Sequence, residues 1–356
     1  MFLAIKEIRR EKVRYSLIVA MIVMISYLMF VLMGLMIGLA NENKAAISTW
    51  DTQTVFLNKN ANDSLGQSVI TKDQLKGKKL NSHEALVGQV AVVVKKTEGK
   101  SLKQSAQFIG LDRDQYIAKH NIPLASGRHA QKADEVVADQ GLLSKGYKLG
   151  DYITLNSGKD KFKIVGFAKN SKLNVAPVIY GDLTTWKDLR GFNEQSVASG
   201  IFINQSEKSE RFSNLQHYTA NQFIQKLPGY SAQNNTFAFM IGFLMVISLV
   251  IIAVFLYILT MQKMANYAVL RAQGIPSTYL VASTIHQSML LMVSGIAGGL
   301  LLTLLTAKMI PMGVPLVFEW QLVSVIVVVL VMLGVVGALL PVRMIVKIDP
   351  VRAMNN

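Results

Sequence analysis

The sequence predicts a multi-pass α-helical membrane protein with four transmembrane helices and an α+β extracytoplasmic domain between the first and second spans. Three observations lead to this fold class. They are four long apolar stretches, a long polar segment after the first of them, and basic residues that flank the stretches. Crossing the ~30 Å hydrocarbon core of a bilayer takes about 20 apolar helical residues. Each stretch is therefore long enough to span.

The first apolar stretch contains no charged side chain, and its apolar part is too long for a secretory signal peptide. It also lacks a small-residue cleavage site, so we expect it to remain as an anchor. His286 and Gln287 are the strong polar interruptions of the third stretch. The predicted spans are residues 16–40, 236–261, 279–306 and 322–341.

Basic residues on short flanks predict the orientation, because such flanks are retained in the cytoplasm. They lie in the N-terminal segment 1–15, in the segment 262–278 and in the tail 342–356, which share one side if the chain crosses four times. Both termini are therefore predicted to be cytoplasmic, with residues 41–235 and the loop 307–321 outside. The basic residues concerned are Lys6, Arg9, Arg10, Lys12, Arg14, Lys263, Arg271, Arg343, Lys347 and Arg352.

The net charge of +15 does not indicate nucleic acid, because the basic residues are scattered and form no patch interleaved with aromatic residues. Membrane lipid or an anionic cell-wall polymer is the partner this charge favours. The chain has no cysteine. No disulfide therefore braces the outer domain, and no thiolate can act as ligand or nucleophile.

Strand patterns are clear in the outer segment. Residues 91–94 form an apolar run, and residues 152–155 and 162–165 flank a polar turn, which predicts a hairpin. Residues 218–227 resemble a short helix that ends at Pro228. Together these patterns predict an α+β domain of residues 41–235.

Three groups of residues carry a family resemblance. Residues 135–139, 142–151, 153–155 and 162–166 resemble the core outer domain of MacB-like or FtsX-like ABC transporter permeases. Residues 267–276 resemble the cytoplasmic coupling segment of that family, and residues 341–354 resemble its closing motif. The resemblance covers essentially the whole chain. It implies a homodimer in a bacterial cell membrane, with a separate cytoplasmic ATPase as partner.

The coupling segment is also understandable from its residues. Residues 264–273 can form a short helix, which Gly274 ends and Pro276 keeps from continuing into the next span. Tyr267 and Leu270 are apolar and could enter a groove of a soluble partner, where Arg271 would make a charged contact. The alternative is an ordinary interfacial helix that rests on lipid.

The sequence does not indicate an enzyme. A phosphate-binding loop needs a first glycine five residues before the Gly-Lys-Ser/Thr triplet, and Val94 stands at that place before Gly99. ATP would thus be bound and hydrolysed by the partner subunit. The histidines show no zinc-protease spacing, and we predict no intrinsic cofactor.

Substrate residues are predicted near the outer ends of the first two spans. Met29, Met33 and Met36 recur at helical spacing on one face of the first span. The second span is preceded by Tyr230 and opens with apolar and aromatic residues, so a dimer could line a lateral groove in the outer leaflet. Those opening residues are Phe237, Phe239, Met240 and Phe243.

Haem fits such a groove because porphyrin is flat and apolar and its iron accepts thioether or phenolate ligands. The compact chain also resembles the haem-exporting permeases of Gram-positive bacteria, which implies haem as the exported substrate. Met29, Met33, Met36 and Tyr230 are the candidate iron ligands. The alternatives are export of a peptide, antibiotic or lipoprotein, or mechanotransmission that activates a cell-wall hydrolase. A packing role for the methionines also stays open.

Glycines four residues apart, Gly34 with Gly38 and Gly295 with Gly299, predict close packing of the first and third spans. Packing within one chain and packing between subunits are both open from the sequence.

Overall fold

A computed structural model describes residues 11–75, 77–98, 103–310 and 314–346. It divides the chain into two compact units. The membrane unit is formed by residues 1–38 and 234–356, and the outer unit by residues 39–233.

The α-helices are α1 (Lys12–Thr49), α2 (Lys72–Leu75), α3 (Tyr116–His120), α4 (Leu183–Arg190), α5 (Ala220–Gln225), α6 (Tyr230–Gln262), α7 (Met264–Ala272), α8 (Ser277–Met309), α9 (Trp320–Gly337) and α10 (Leu339–Val346). The strands are β1 (Thr54–Asn58), β2 (Ile70–Thr71), β3 (Glu84–Lys96), β4 (Gln104–Leu111), β5 (Leu124–Gly127), β6 (Glu135–Asp139), β7 (Tyr152–Leu155), β8 (Phe162–Ala168), β9 (Lys172–Leu173), β10 (Ala176–Asp182), β11 (Ser196–Ala198), β12 (Gly200–Ile203) and β13 (Leu215–Thr219).

Four helical stretches are long and apolar enough to cross a membrane: α1, α6, α8, and α9 with α10. With the α+β outer unit between the first and second of them, they confirm the predicted fold class. The predicted spans lie inside these helices, and α1 and α6 extend several residues beyond them at the outer ends. The basic residues of segments 1–10 and 347–356, and most of the closing motif, lie outside the described residues.

The fourth span differs from the prediction at its end. The predicted span ends at Pro341, but α9 ends at Gly337 and Pro341 is the third residue of α10. Proline is tolerated in the first turn of a helix, where its missing N–H has no partner to lose. The helix therefore breaks at Ala338, before the proline.

Both glycine pairs pack within the chain. A Cβ on Gly299 would clash with Ser26 of α1, and a Cβ on Gly295 would clash with Ile22. On α1 itself, a Cβ on Gly38 would clash with the carbonyl oxygen of Pro315. These glycines let α8 and the segment before α9 approach α1 at backbone distance, which is how helices associate in lipid.

The outer unit is built on an 11-stranded sheet with the order β13-β1-β12-β3-β4-β10-β6-β8-β5, to which β7 adds through β3 and β8 and β9 through β10. The predicted hairpin is confirmed, since Tyr152 pairs with Lys163 and Ile153 with Phe162. Residues 91–94 lie inside β3, as expected for an apolar run.

The prediction of a helix over residues 218–227 is wrong at its start. Tyr218 and Thr219 belong to β13, and the helix is α5, Ala220–Gln225. Thr219 caps α5: its hydroxyl accepts from the Gln222 backbone N–H, and the Gln222 side chain accepts from the Thr219 N–H. This capping box fixes the switch from strand to helix.

Trp186 is the centre of one core of the outer unit. It is fully buried, and its Nε1 donates to the carbonyl oxygen of Gln89 at 3.1 Å. Its ring lies where a side chain on Gly88 would stand, and its Cβ lies where a side chain on Gly110 would stand. The ring meets Phe192 edge-on with centroids 5.3 Å apart. The two glycines of β3 and β4 thus form a seat for the indole of α4.

Candidate substrate and coupling sites

The predicted coupling segment forms α7. Gly274 has φ of 88°, and the Ile275 N–H donates to the Leu270 carbonyl at 3.1 Å, which closes the helix end. Pro276 then stands at the N-cap of α8. This is the helix, glycine and proline arrangement that the sequence predicts.

The faces of α7 are divided. Tyr267 is 4% exposed and packs in a small cluster with Leu280 of α8 and Ile345 of α10. The side chains of Leu270 and Arg271 are half-buried, and Nε of Arg271 is buried without a hydrogen-bond partner in the described structure. Tyr267 therefore anchors α7 against α8 and α10.

The exposed face of α7 carries a residue that the sequence did not single out. Val269 is 49% exposed, and Asn266 and Gln273 are exposed at helical spacing beside it. The sequence spacing could have indicated this face. Val269 lies three residues after Asn266 and four before Gln273, so the three side chains share one side of a helix. This face is what α7 offers to a partner.

A buried polar network lies at the start of α7. Nζ of Lys263 donates to the hydroxyl oxygen of Tyr15 at 2.8 Å, and Nε2 of Gln287 donates to the same oxygen. All three side chains are at least nine-tenths buried. The network ties α1 and α8 to the residue from which α7 begins.

The methionines of the predicted groove are placed unequally. Met29 and Met33 are 0% and 2% exposed, in an apolar cluster that also contains Ile241 of α6. Met36 is half-buried against the same cluster. The structure therefore brings the first two into the packed interior of the membrane unit and leaves Met36 at its edge.

The opening residues of α6 are mostly at the surface. Phe239, Met240 and Phe243 are 68%, 42% and 65% exposed, and Phe237 is half-buried. In its most apolar window, α6 is only 17% buried, against 39% for α1. This face is free in a single chain to meet lipid, a ligand or a second copy.

Tyr230 belongs to the outer unit and is 6% exposed in its largest apolar cluster. Its hydroxyl makes no hydrogen bond to any described residue. In the described ranges, no three His, Asp or Glu side chains gather into a group that could hold a metal ion.

Residues 238–350, which include α7, α8 and α9, match the FtsX-like permease C-terminal family. This part of the chain is an FtsX-like permease domain. This match agrees with the FtsX-like resemblance seen in the sequence. In this FtsX-like domain, α7 is the short helix between the second and third spans.

The whole chain is similar to curated proteins. It is 23% identical over 361 residues to the putative hemin transport system permease protein HrtB of Staphylococcus epidermidis, covering 100% of this chain and 99% of that protein. It is 24% identical over 358 residues to the protein of the same name from Staphylococcus haemolyticus, with the same coverage.

Solved structures resemble its outer unit. The extracellular domain of the ABC-type transporter YknZ from Gram-positive bacteria covers 51% of this chain and 94% of its own, with 11% identity and a TM-score of 0.32. The periplasmic region of MacB from Actinobacillus actinomycetemcomitans covers 50% and 94%, with 15% identity and a TM-score of 0.37.

Proposed function

We propose that the chain is the permease subunit of an ABC-type efflux pump that exports haem from the membrane, using ATP hydrolysis by a separate cytoplasmic subunit. The observation that carries the proposal is the similarity to hemin transport permeases over the full length of both chains. The exposed aromatic face of α6 supports it, because a flat apolar ligand gains from burial against such a surface.

The pump is proposed to be a homodimer with two ATPase subunits, both termini of each permease chain being cytoplasmic. α6 is the least buried of the four spanning stretches, so it has most apolar surface to give to a second copy or to a ligand at the dimer seam. The groove would be walled by Phe237, Phe239, Met240 and Phe243. The iron would be bound by Met29, Met33, Met36 or Tyr230.

In this proposal, ATP-driven movement enters through α7. Leu270 and Arg271 remain the proposed coupling residues, with Gly274 and Pro276 fixing the helix end and Tyr267 supporting it. The exposed Val269 adds a direct contact to the ATPase subunit. The Lys263, Tyr15 and Gln287 network would pass the movement to α1 and α8.

The decisive experiment measures haem efflux and ATP hydrolysis together. The chain is purified with its ATPase subunit from the native host and placed in proteoliposomes loaded with haemin. We expect ATP-dependent loss of haemin from the vesicles and haemin-stimulated ATP hydrolysis. Haemin that neither moves nor stimulates hydrolysis would exclude haem as substrate.

Val269→Glu tests the coupling face. A carboxylate in an apolar contact should abolish co-purification of the ATPase subunit and leave the permease folded. The matched control is Val346→Glu at the end of α10, where Val346 is equally open at 56% exposed. Equal co-purification of the two variants would remove α7 from the proposed interface.

Mechanotransmission is the second candidate, since the family match covers the membrane helices and not the outer unit. It predicts ATP hydrolysis that is indifferent to haemin and stimulated by a cell-wall hydrolase added outside. The same proteoliposomes separate the two functions.

A further inference from the structure

The outer unit contains a cavity of about 260 Å³ at the carboxyl ends of two parallel strands. β4 ends at Leu111 and β10 ends at Asp182, and these two residues are register partners. The cavity floor is apolar: Leu111, Ile122 and Val137 are 3%, 5% and 2% exposed, and Tyr180 lies beside them. A small apolar surface would therefore gain free energy by entering it.

Basic side chains surround this cavity. Arg113 is held by Asp182, with Nη2 2.9 Å and Nε 3.1 Å from the same carboxylate oxygen. Nζ of Lys119 is 3.3 Å from an oxygen of Asp114. Lys132, in contrast, makes no ion pair with any described residue and leaves one positive charge uncompensated at the mouth. The lining thus suits a ligand that is apolar in its body and anionic at its edge.

His129 gives this cavity an imidazole, a group that is absent from the residues proposed for the membrane groove. Its side chain is half-buried, and neither ring nitrogen hydrogen-bonds to a described residue. Burial lowers the pKa of His129, which favours the neutral ring with a free lone pair. An unused neutral imidazole beside an apolar cavity is a ligand suited to haem iron.

The loop that carries His129 is fixed without any ligand. Arg128 and Glu135 form a two-bond ion pair, with Nη1 2.7 Å and Nη2 2.5 Å from the two carboxylate oxygens. The backbone N–H groups of Gln131 and Lys132 donate to Glu135 at 2.8 Å and 3.3 Å. The imidazole and the free ammonium are therefore held on a preorganised loop, which lowers the entropy cost of binding.

The size of the site indicates the shape of its ligand. The cavity alone is smaller than the ~300–1,000 Å³ of sites that enclose a drug-sized molecule. A second, more open depression of about 590 Å³ shares Arg113, Ala130 and Asp182 with it and adds the basic Lys187 and the acidic Asp112 and Asp114. The two adjoining depressions suit a flat molecule that keeps part of its surface in solvent.

We propose that this cavity is a second haem site, in which His129 binds the iron and Lys132 binds a porphyrin carboxylate. The inference rests on the proposed function, because haem enters it as the cargo of the pump. It assigns a separate step to the outer unit: haem that has left the membrane is received by an imidazole. The candidate ligands of the membrane groove are thioethers and a phenol.

The test is a haemin titration of the full chain in nanodiscs, followed by Soret absorbance and by electron paramagnetic resonance of the ferric haem. The groove ligands are first removed by Met29→Leu, Met33→Leu, Met36→Leu and Tyr230→Phe, which conserve volume. We expect the remaining haem to show an imidazole-ligated ferric signal. Adding His129→Ala should abolish that signal, and free imidazole should restore it.

His120→Ala is the matched control, because His120 is exposed at the end of α3 and outside the cavity lining. It should leave the signal unchanged. Lys132→Gln should weaken binding about tenfold, as expected for one lost charge-assisted hydrogen bond. Lys145→Gln, an exposed lysine elsewhere in the outer unit, should not.

The outcomes separate this inference from the proposed function. Wild-type binding that is lost with the groove ligands and indifferent to His129→Ala would overturn the second site and leave haem export standing. An imidazole signal that survives His129→Ala would overturn it as well. Absence of saturable haemin binding in the wild type would overturn the inference and the haem assignment together.

Discussion

Large apolar side chains are exposed far more often in the membrane unit than in the outer unit. Phe239 and Phe243 of α6 are 68% and 65% exposed, whereas Phe56, Phe108 and Phe202 of the outer sheet are fully buried. The difference reflects the solvent, because lipid accepts apolar surface that water rejects. Burial by the chain therefore marks structural importance in the outer unit, whereas in the membrane unit an exposed aromatic residue is ordinary.

Polar side chains differ between the two units in the same way. In the membrane unit, the hydroxyls of Ser26 and Thr303 donate to carbonyls one turn back, Ile22 at 2.8 Å and Gly299 at 2.7 Å. In the outer unit, the Glu135 carboxylate accepts hydrogen bonds from the Arg128 guanidinium and from two backbone N–H groups of a loop. Where water is absent, the helix backbone is the nearest acceptor. Where loops must be fixed, charged side chains bind them.

The largest effect should come from the outer core. Trp186→Ala removes a fully buried indole that is seated on two glycines, and should lower the free energy of unfolding by about 3–5 kcal/mol. Thermal unfolding of the purified chain in detergent, followed by circular dichroism, measures it. Trp320→Ala in the membrane unit is the control, because Trp320 is 61% exposed. Similar losses for both variants would contradict the contrast between the units.

Next is the close approach of α8 to α1. Gly299→Leu forces a side chain against Ser26 and the backbone of Tyr27, and should cost about 1–3 kcal/mol. Gly242→Leu is the matched glycine of α6, which has open space around it, and should be neutral. The yield of monodisperse protein and its melting temperature report both. A stable Gly299→Leu variant would show that α8 does not pack on α1 as described.

A loss in the same range is expected at the buried network. Tyr15→Phe removes the hydroxyl that accepts from Lys263 and Gln287, and should cost about 1–3 kcal/mol because both donors lose an acceptor. Tyr257→Phe, on the 42% exposed Tyr257 of α6, should stay within about 0.5 kcal/mol. Combining Tyr15→Phe with Lys263→Met should give less than the sum of the single losses. Strict additivity would mean that the two side chains are not coupled.

The smallest effect is a pH dependence in the outer unit. The Arg128 guanidinium lowers the pKa of Glu135 from 4.5 to about 2. A lowered folded-state pKa stabilises the protein above pH 4.5, and that contribution is lost as pH falls from 4.5 to 2. Glu135→Gln should therefore cost about 1 kcal/mol at pH 7 and flatten the acid side of the stability profile. Glu194→Gln, whose carboxylate is 92% exposed, should leave the profile unchanged.

The sequence predicted correctly those features that depend only on residues close together in the chain. The hairpin of β7 and β8, the helix, glycine and proline arrangement of α7, and the four spanning stretches are local patterns, and the structure has all of them. The helix break at Ala338 and the strand at Tyr218 were missed because neighbouring elements decide them. Propensity over ten residues does not contain that information.

The candidate sites show the same limit. The sequence marked Tyr267 on α7 but not Val269, since which face of a short helix is covered depends on α8 and α10. It marked Met29 and Met33 as a face, and the structure adds that this face is packed. No sequence pattern singled out His129. It lines a cavity because β4 and β10, joined by a long connection, end side by side.

The sequence by itself determined the solvent of each segment and the family resemblance, because hydropathy, basic flanks and ordered motifs are properties of the linear chain. The tertiary structure decided which glycines allow close packing, which aromatic residues are covered, and which of five histidines stands beside an apolar cavity. Those properties depend on side chains far apart in sequence meeting at a few ångströms. Only the fold sets such distances.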